Sequence, residues 1–140
     1  MKFLLDTVTV SEFRKGKGGA PAVLRWQASL TDGMFGLSIV SLAEIRYGIR
    51  RVEAKDPPFA NRLQAWYDLI LVQREMFHVF SVDRAIAEQA ADIRAAAECP
   101  YQDAYIAATA KVHGLTLATR NTADFKATGI SLVNPWEHGA

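Results

Sequence analysis

Residues 100–125 constrain the fold more strongly than any other stretch of this sequence. Small and apolar residues recur there at helical spacing: Ile106, Ala107 and Ala110. One face of the predicted helix is therefore narrow enough to pack closely on a sheet. His113-Gly114 is predicted to end the helix, because Gly favours the left-handed position just past a helix end. Residues 115–119 are short, apolar and bounded by polar residues, which is typical of a buried strand.

Strand-like and helix-like segments alternate along the rest of the chain. The predicted strands are residues 2–5, 35–40, 78–82, 115–119 and 130–133. Predicted helices fill most of the intervals, at residues 21–30 and 59–75, after Ser41, and after Asp83, while Asp32-Gly33 is predicted to be a turn. This alternation favours an α/β fold, a three-layer α/β/α sandwich with a central parallel sheet. At 140 residues the chain is expected to form one domain, residues 1–140.

Acidic and amide side chains occur where a parallel α/β sheet binds its ligands, at the carboxyl edge of the strands. Asp6 ends the first predicted strand, and Glu44 lies in the first turn of the helix that follows the second. Asp103 lies in the first turn of the helix before residue 115, where the helix dipole favours an ionised carboxylate. Asn121 and Asp124 follow the fourth strand. We expect all five side chains to lie at this one edge.

Such a group of carboxylates needs a counter-charge. Three carboxylates within about 5 Å of one another repel by roughly 3 kcal/mol per pair at an effective dielectric near 20, a large share of a small domain's stability. A divalent cation removes that penalty, and oxygen donors without His or Cys favour Mg²⁺ or Mn²⁺ over zinc. Two such ions activate water and stabilise the leaving oxygen of a phosphodiester. The predicted chemistry is therefore hydrolytic phosphoryl transfer.

Each acid also has a purely structural explanation. Asp6 can cap the helix that follows it, and Asp103 can stabilise its own helix. Glu44 lies three residues after Ser41, which is the spacing of a capping box. Asp124 can be a solvated loop residue. A shared metal site explains the group better than four separate explanations, because all four acids are predicted at one edge.

Composition bears mainly on the cellular compartment. Cys99 is the only cysteine, so the chain cannot form an internal disulfide or a cysteine-based metal site. A reducing cytoplasm is the expected location. The N-terminal sequence reaches an acid at Asp6, too early for a secretory core, and no apolar run approaches membrane-spanning length. The net charge of +1 identifies no partner.

Four segments occur in a recognisable order: LLDT followed by Ser11-Glu12, SLAEIRYGI at 41–49, DAYIAATAKVHGLTLATRNTADF at 103–125, and NPW at 134–136. Together they resemble the PIN-domain ribonucleases of VapC type, including the FitB-like members. The resemblance extends over nearly the whole chain. It implies an α/β/α fold and a Mg²⁺- or Mn²⁺-dependent endoribonuclease that is the toxin of a toxin–antitoxin pair.

The resemblance also implies roles for individual residues. The metal-binding acids of the family fall on Asp6 and Asp103, and its helical Glu falls on Glu44. Its fourth position falls on Asn121, where some relatives carry Asp, with Asp124 close by. These five are the predicted catalytic residues, and Asp6, Glu44 and Asp103 are the predicted metal ligands.

Partners follow from the same resemblance. VapC-like proteins commonly form homodimers and are held inactive by a small antitoxin that doubles as a DNA-binding repressor. RNA is therefore the expected substrate, and operator DNA is expected to be reached only through the antitoxin.

Two positions beside Asp6 depart from the usual pattern of the family. Val8 stands where the family usually has Asn, and Thr9 stands where an apolar residue is common. Val8 cannot hydrogen-bond a ligated carboxylate or water. This departure keeps an alternative function open, in which a PIN fold with weakened catalysis acts mainly as a binding partner of the antitoxin.

Overall fold

The computed structural model describes residues 1–31 and 33–139 of the chain. Within them, the strands are β1 Phe3–Leu5, β2 Phe35–Ser38, β3 Phe77–Phe80, β4 Thr116–Ala118 and β5 Leu132–Val133. They form one sheet in the order β3-β2-β1-β4-β5, and every neighbouring pair is parallel. The predicted parallel α/β sheet is confirmed, although each strand is shorter than predicted. The predicted turn at Asp32-Gly33 falls on Asp32, which lies outside the described residues.

Helices cover both faces of this sheet. They are α1 Thr7–Arg14, α2 Pro21–Ser29, α3 Ile39–Glu53, α4 Pro57–Val72, α5 Arg84–Ala97, α6 Tyr101–Val112 and the single turn α7 Thr122–Phe125. Asp83 caps α5 as predicted, since its carboxylate accepts the Ile86 N–H at 2.9 Å. Gly114 has a φ of 64° just after α6, so the predicted helix end is also confirmed.

Two hydrophobic clusters fill the space between the sheet and the helices. Leu4 and Leu117 pack with α5 and α6 on one face. Leu5, Leu37 and Ala118 pack with α1 to α4 on the other face. Successive residues of a strand point to opposite faces, so even a three-residue strand contributes to both clusters. This arrangement is the predicted three-layer sandwich.

The order of the strands creates a switch point beside β1. The chain passes from β1 to β2 and β3 on one side, and later places β4 and β5 on the other. Leu5 is opposite Leu37 in β2 and Ala118 in β4, so the three strands end at nearly the same level. Ligands of open α/β sheets bind in the crevice at such a point.

The predicted capping box of Ser41 and Glu44 is wrong. Helix α3 begins at Ile39, and its N-cap is Ser38, whose side chain accepts the Val40 N–H at 3.0 Å. Ser41 is therefore inside the helix and fully buried. The sequence suggested a longer strand because the β-branched residues Ile39 and Val40 favour strands, but the Ser38 cap starts the helix before them.

Candidate metal and catalytic site

Asp6 is the most firmly held acid at the switch point. It directly follows β1, is only 7% exposed, and caps α1. Its Oδ1 accepts the Thr9 N–H at 2.8 Å and the Thr9 hydroxyl at 2.6 Å. The Asp6 N–H donates to the Ala118 carbonyl at 3.1 Å, which fixes the backbone of Asp6 to the end of β4. Both the backbone and one carboxylate oxygen of Asp6 are therefore fixed by neighbouring groups.

Glu44 is held by the residue after Asp6. The Thr7 hydroxyl lies 2.6 Å from Glu44 Oε1 and 3.0 Å from Ser41 Oγ. A hydroxyl carries one hydrogen, and the shorter contact to a carboxylate is the stronger hydrogen bond. Thr7 thereby connects the first turn of α1 to α3 and places Glu44 on the same side of the sheet as Asp6.

Asp103 lies among the other acids. It is half-buried in the first turn of α6. Burial raises the pKa of Asp103, and the negative charges of Glu44, Asp124 and Asp6 raise it further, in that order of size. Each of those three carboxylates is thus close enough to influence the ionisation of Asp103. The structure brings together four acids that are 38, 59 and 21 residues apart along the chain.

Two predicted site residues that follow β4, Asn121 and Asp124, are more open to solvent. Asn121 is the N-terminal flanking residue of α7, and its backbone N–H donates to Thr119 Oγ1 at 3.1 Å. Its side chain makes no capping hydrogen bond to α7, and both Asn121 and Asp124 are exposed. Asp124 contributes to the negative potential at Asp103, whereas Asn121 is placed at this edge by its position after β4.

The donor set fits a hard divalent cation. Within residues 1–31 and 33–139, no group of three or more His, Cys, Asp or Glu side chains lies close enough together to hold a metal ion as the side chains stand. Mg²⁺ does not need such a group, because it usually keeps several waters and binds through one or two carboxylates. The repulsion that raises the pKa of Asp103 is the kind of strain that a bound cation relieves.

Comparison with known proteins identifies the family. The PIN domain profile matches residues 3–130. The chain belongs to the PIN domain family. It is 34% identical to the VapC ribonuclease Y4jK of Sinorhizobium fredii over 138 residues, or 96% of this chain and 97% of that protein. It is 33% identical over 138 residues to toxin FitB of Neisseria gonorrhoeae, covering 95% of this chain and 97% of FitB.

A solved structure of FitAB bound to a DNA fragment is also similar to this PIN domain. The two share 31% sequence identity with a TM-score of 0.81, and the match covers 99% of both chains. The expected family and fold are therefore confirmed. In the part of this PIN domain that the structure describes, no helix combines the length and the apolar character needed to cross a bilayer.

Three hydroxyl residues at this site were not among the predicted site residues: Thr7, Thr9 and Ser41. For Thr9 the sequence carries a usable signal, since a Thr three residues after an N-cap Asp can return a hydrogen bond to it. The contact between Thr7 and Glu44 joins residues 37 apart and has no local signal.

Two basic side chains of this PIN domain, Lys15 and Arg120, lie near Glu12. Glu12 accepts hydrogen bonds from Lys15 and from the Ala20 N–H, both at 3.0 Å. Burial alone would raise the pKa of Glu12, but these bonds and the nearby charges of Lys15 and Arg120 outweigh it and lower the pKa. Arg120 directly precedes Asn121, and its guanidinium lies 5.4 Å from the centre of the Trp136 ring.

A shallow cavity opens beside Glu44. Its volume is about 360 Å³, and its lining residues are Val40, Ala43, Glu44, Tyr47 and Gln102. Tyr47 is 64% exposed next to a site acid, and the Arg51 guanidinium lies 5.8 Å from the centre of its ring. Exposed aromatic rings provide stacking surfaces for unpaired bases.

Proposed function

We propose that this PIN domain is a metal-dependent endoribonuclease and the toxin of a toxin–antitoxin pair. The observation that carries the proposal is the convergence of Asp6, Glu44 and Asp124 on Asp103 at the switch point of the sheet. Membership of the PIN family and the similarity to a VapC ribonuclease support the choice of RNA as substrate. Single-stranded segments of cellular RNA are the expected targets.

In this proposal Asp6, Glu44 and Asp103 hold Mg²⁺ or Mn²⁺, while Asn121 and Asp124 complete the catalytic group. A divalent ion bound there would supply an activated water and charge stabilisation for the leaving oxygen of the phosphodiester. Thr9 and Thr7 keep one oxygen each of Asp6 and Glu44 in place. Because metal ligands must be deprotonated, the raised pKa of Asp103 predicts that cation binding weakens as the solution becomes acidic.

The basic and aromatic groups around the acids suit an RNA chain. Lys15 and Arg120 can pair with phosphates beside the reacting bond. Tyr47 can stack on an unpaired base next to Glu44. These contacts would position the scissile phosphate, so that water attacks it without an amino-acid nucleophile.

The test is an RNA cleavage assay with the purified protein. We expect cleavage with Mg²⁺ or Mn²⁺, no cleavage after chelation, and loss of nearly all activity in Asp103→Asn. Both proteins are purified by the same steps, so that a contaminating nuclease would be present equally in the two preparations and cannot produce a difference between them. Metal-supported cleavage that is unchanged in Asp103→Asn, or no cleavage by either protein under any metal condition, would reject the proposal.

The proposed partner is a small antitoxin, with operator DNA reached through it. Support comes from the similarity to toxin FitB and to the FitAB complex on a DNA fragment. A homodimer and a cytoplasmic location complete the proposal. Co-expression with the neighbouring small reading frame, followed by size-exclusion chromatography and operator binding, tests it directly. Recovery of this protein alone, as a monomer, would contradict the partner and dimer parts.

A second candidate function rests on Val8. This side chain is 46% exposed at the start of α1 and offers no hydrogen-bond donor to the neighbouring carboxylate. The chain would then act mainly as a partner of the antitoxin, with little turnover of its own. Formation of the complex without detectable RNA cleavage in any metal would favour this candidate.

A further inference from the structure

We propose that Thr9 is a positioning residue, which holds Asp6 in the orientation for cation binding. The inference rests on the proposed metal-dependent function.

The two hydrogen bonds from Thr9 to Asp6 differ in origin. The 2.8 Å bond from the Thr9 N–H is the ordinary N-cap bond of a helix, which almost any residue at that position can donate. The 2.6 Å bond from the hydroxyl requires Thr or Ser. Both bonds end on Oδ1, so neither occupies Oδ2 of Asp6. The hydroxyl therefore adds a second constraint on the carboxylate and leaves one oxygen for a ligand.

The hydroxyl hydrogen has two nearby acceptors. Thr9 Oγ1 also lies 3.0 Å from the carbonyl oxygen of Ala118. That carbonyl already accepts the Asp6 N–H at 3.1 Å. Since a hydroxyl has one hydrogen, the shorter contact to the charged carboxylate takes it. The Thr9 hydroxyl thus fixes the carboxylate of Asp6, while the N–H of Asp6 itself fixes its backbone to the end of β4.

Burial of Thr9 supports a specific role for its hydroxyl. Thr9 is 0% exposed. Burying a hydroxyl is unfavourable unless it is hydrogen-bonded. By contrast, Val8 is exposed and has no donor to offer. In the described part of the chain, Thr9 is the only residue whose side chain is observed to donate a hydrogen bond to the Asp6 carboxylate.

The decisive variant is Thr9→Val, which keeps the shape of the side chain and removes the hydroxyl. We expect Mn²⁺ affinity, measured by calorimetry, to fall by roughly 10- to 100-fold, the usual effect of removing a group that orients a metal ligand. The Mn²⁺ concentration for half-maximal RNA cleavage should rise in parallel. The KM for RNA at saturating Mn²⁺ should stay unchanged, and Thr9→Ser should recover most of the affinity.

Thr109→Val provides a matched control. Thr109 is also 0% exposed, and its hydroxyl donates to the Tyr105 carbonyl at 2.7 Å, within α6. The same chemical change there should leave Mn²⁺ affinity at the wild-type value.

The possible results separate this inference from the proposed function. Wild-type Mn²⁺ affinity in a folded Thr9→Val would overturn the inference and leave the nuclease proposal standing. A wild-type protein that neither binds Mn²⁺ nor cleaves RNA would overturn both. Should Thr9→Val not fold, Thr9→Ala is measured instead, and failure of both to fold assigns the hydroxyl to stability and overturns the inference.

Discussion

The two sides of the carboxylate site are built differently. On the tethered side, formed by Asp6 and Glu44, each carboxylate accepts a 2.6 Å hydrogen bond from a threonine in the first turn of α1. On the open side, formed by Asn121 and Asp124, both side chains are exposed around the single turn α7. Asp103 lies between them and is influenced by acids of both sides.

The difference indicates that the two sides have different roles in binding. Hydrogen bonds to the tethered side order its carboxylates during folding, so a ligand does not have to order them on binding. The open side remains free to adjust to a substrate of variable shape. We therefore expect changes on the tethered side to affect metal binding strongly, and changes on the open side to affect it weakly.

The largest effect is expected at Asp6. Asp6→Asn keeps the N-cap of α1 but loses the charge. RNA cleavage should fall by at least about 100-fold, because the cation that Asp6 would hold, and that would stabilise transition-state charge, would bind more weakly. Asp6→Ala should lose as much activity and in addition about 1 kcal/mol of stability, because the cap is lost. Cleavage assays and urea unfolding distinguish the two. An active Asp6→Asn would show that the tethered side does not hold the cation.

A smaller effect is expected at Thr7. Thr7→Val removes the hydrogen bond to Glu44 and should reduce cleavage about 10-fold by loosening that carboxylate. Thr7→Ser restores the hydroxyl and should restore most of the activity. The measurement is the Mn²⁺ dependence of cleavage. If Val and Ser behave alike, the hydroxyl does not hold Glu44 for catalysis.

On the open side, Asp124→Asn should reduce Mn²⁺ affinity less than either change on the tethered side. Asn121→Asp adds a negative charge and should strengthen cation binding. Stability should change by no more than about 0.5 kcal/mol in both, as for other surface substitutions. Calorimetric titration with Mn²⁺ checks these expectations. A loss in Asp124→Asn as large as that in Asp6→Asn would contradict the distinction between the two sides.

The smallest effect concerns stability and pH at Asp103. Its pKa is raised by burial and by neighbouring acids, so the folded protein holds this proton more tightly than the unfolded chain. The stability contributed by this group is complete below the unfolded pKa and is lost as the pH rises through the raised value. Asp103→Asn should therefore stabilise the metal-free protein at neutral pH by about 1 kcal/mol or less, given partial exposure.

Thermal unfolding at two pH values tests whether Asp103→Asn raises or lowers the stability. The advantage of Asp103→Asn should disappear in acid, where the wild-type carboxyl is protonated, and should reverse when Mn²⁺ is added at neutral pH. A variant that is less stable than the wild type in metal-free solution at neutral pH would mean that Asp103 is not under repulsion from its neighbours.

Part of this arrangement was predictable from local sequence. The period of apolar residues and the caps at Asp83 and Gly114 identified the strands and most helices. Chain order then placed Asp6 and Asn121 after strands and Asp103 in a first helical turn, all at the carboxyl edge. The capping box at Ser41 failed because the strand and helix preferences of residues 38–41 compete, and local sequence does not resolve such a competition.

The sequence by itself determined the alternating α/β pattern and the edge at which the acids lie, because these follow from periodicity, helix caps and the direction of each strand. The family followed separately, from the resemblance of four ordered segments. The tertiary structure decided which carboxylates accept hydrogen bonds from threonine side chains and which are exposed to solvent. Thr7 reaches Glu44 and Asp6 meets Ala118 only because β1 lies between β2 and β4 and α1 packs beside α3. Hydrogen bonds between such distant residues depend on the packing of whole elements, which short-range residue patterns do not specify.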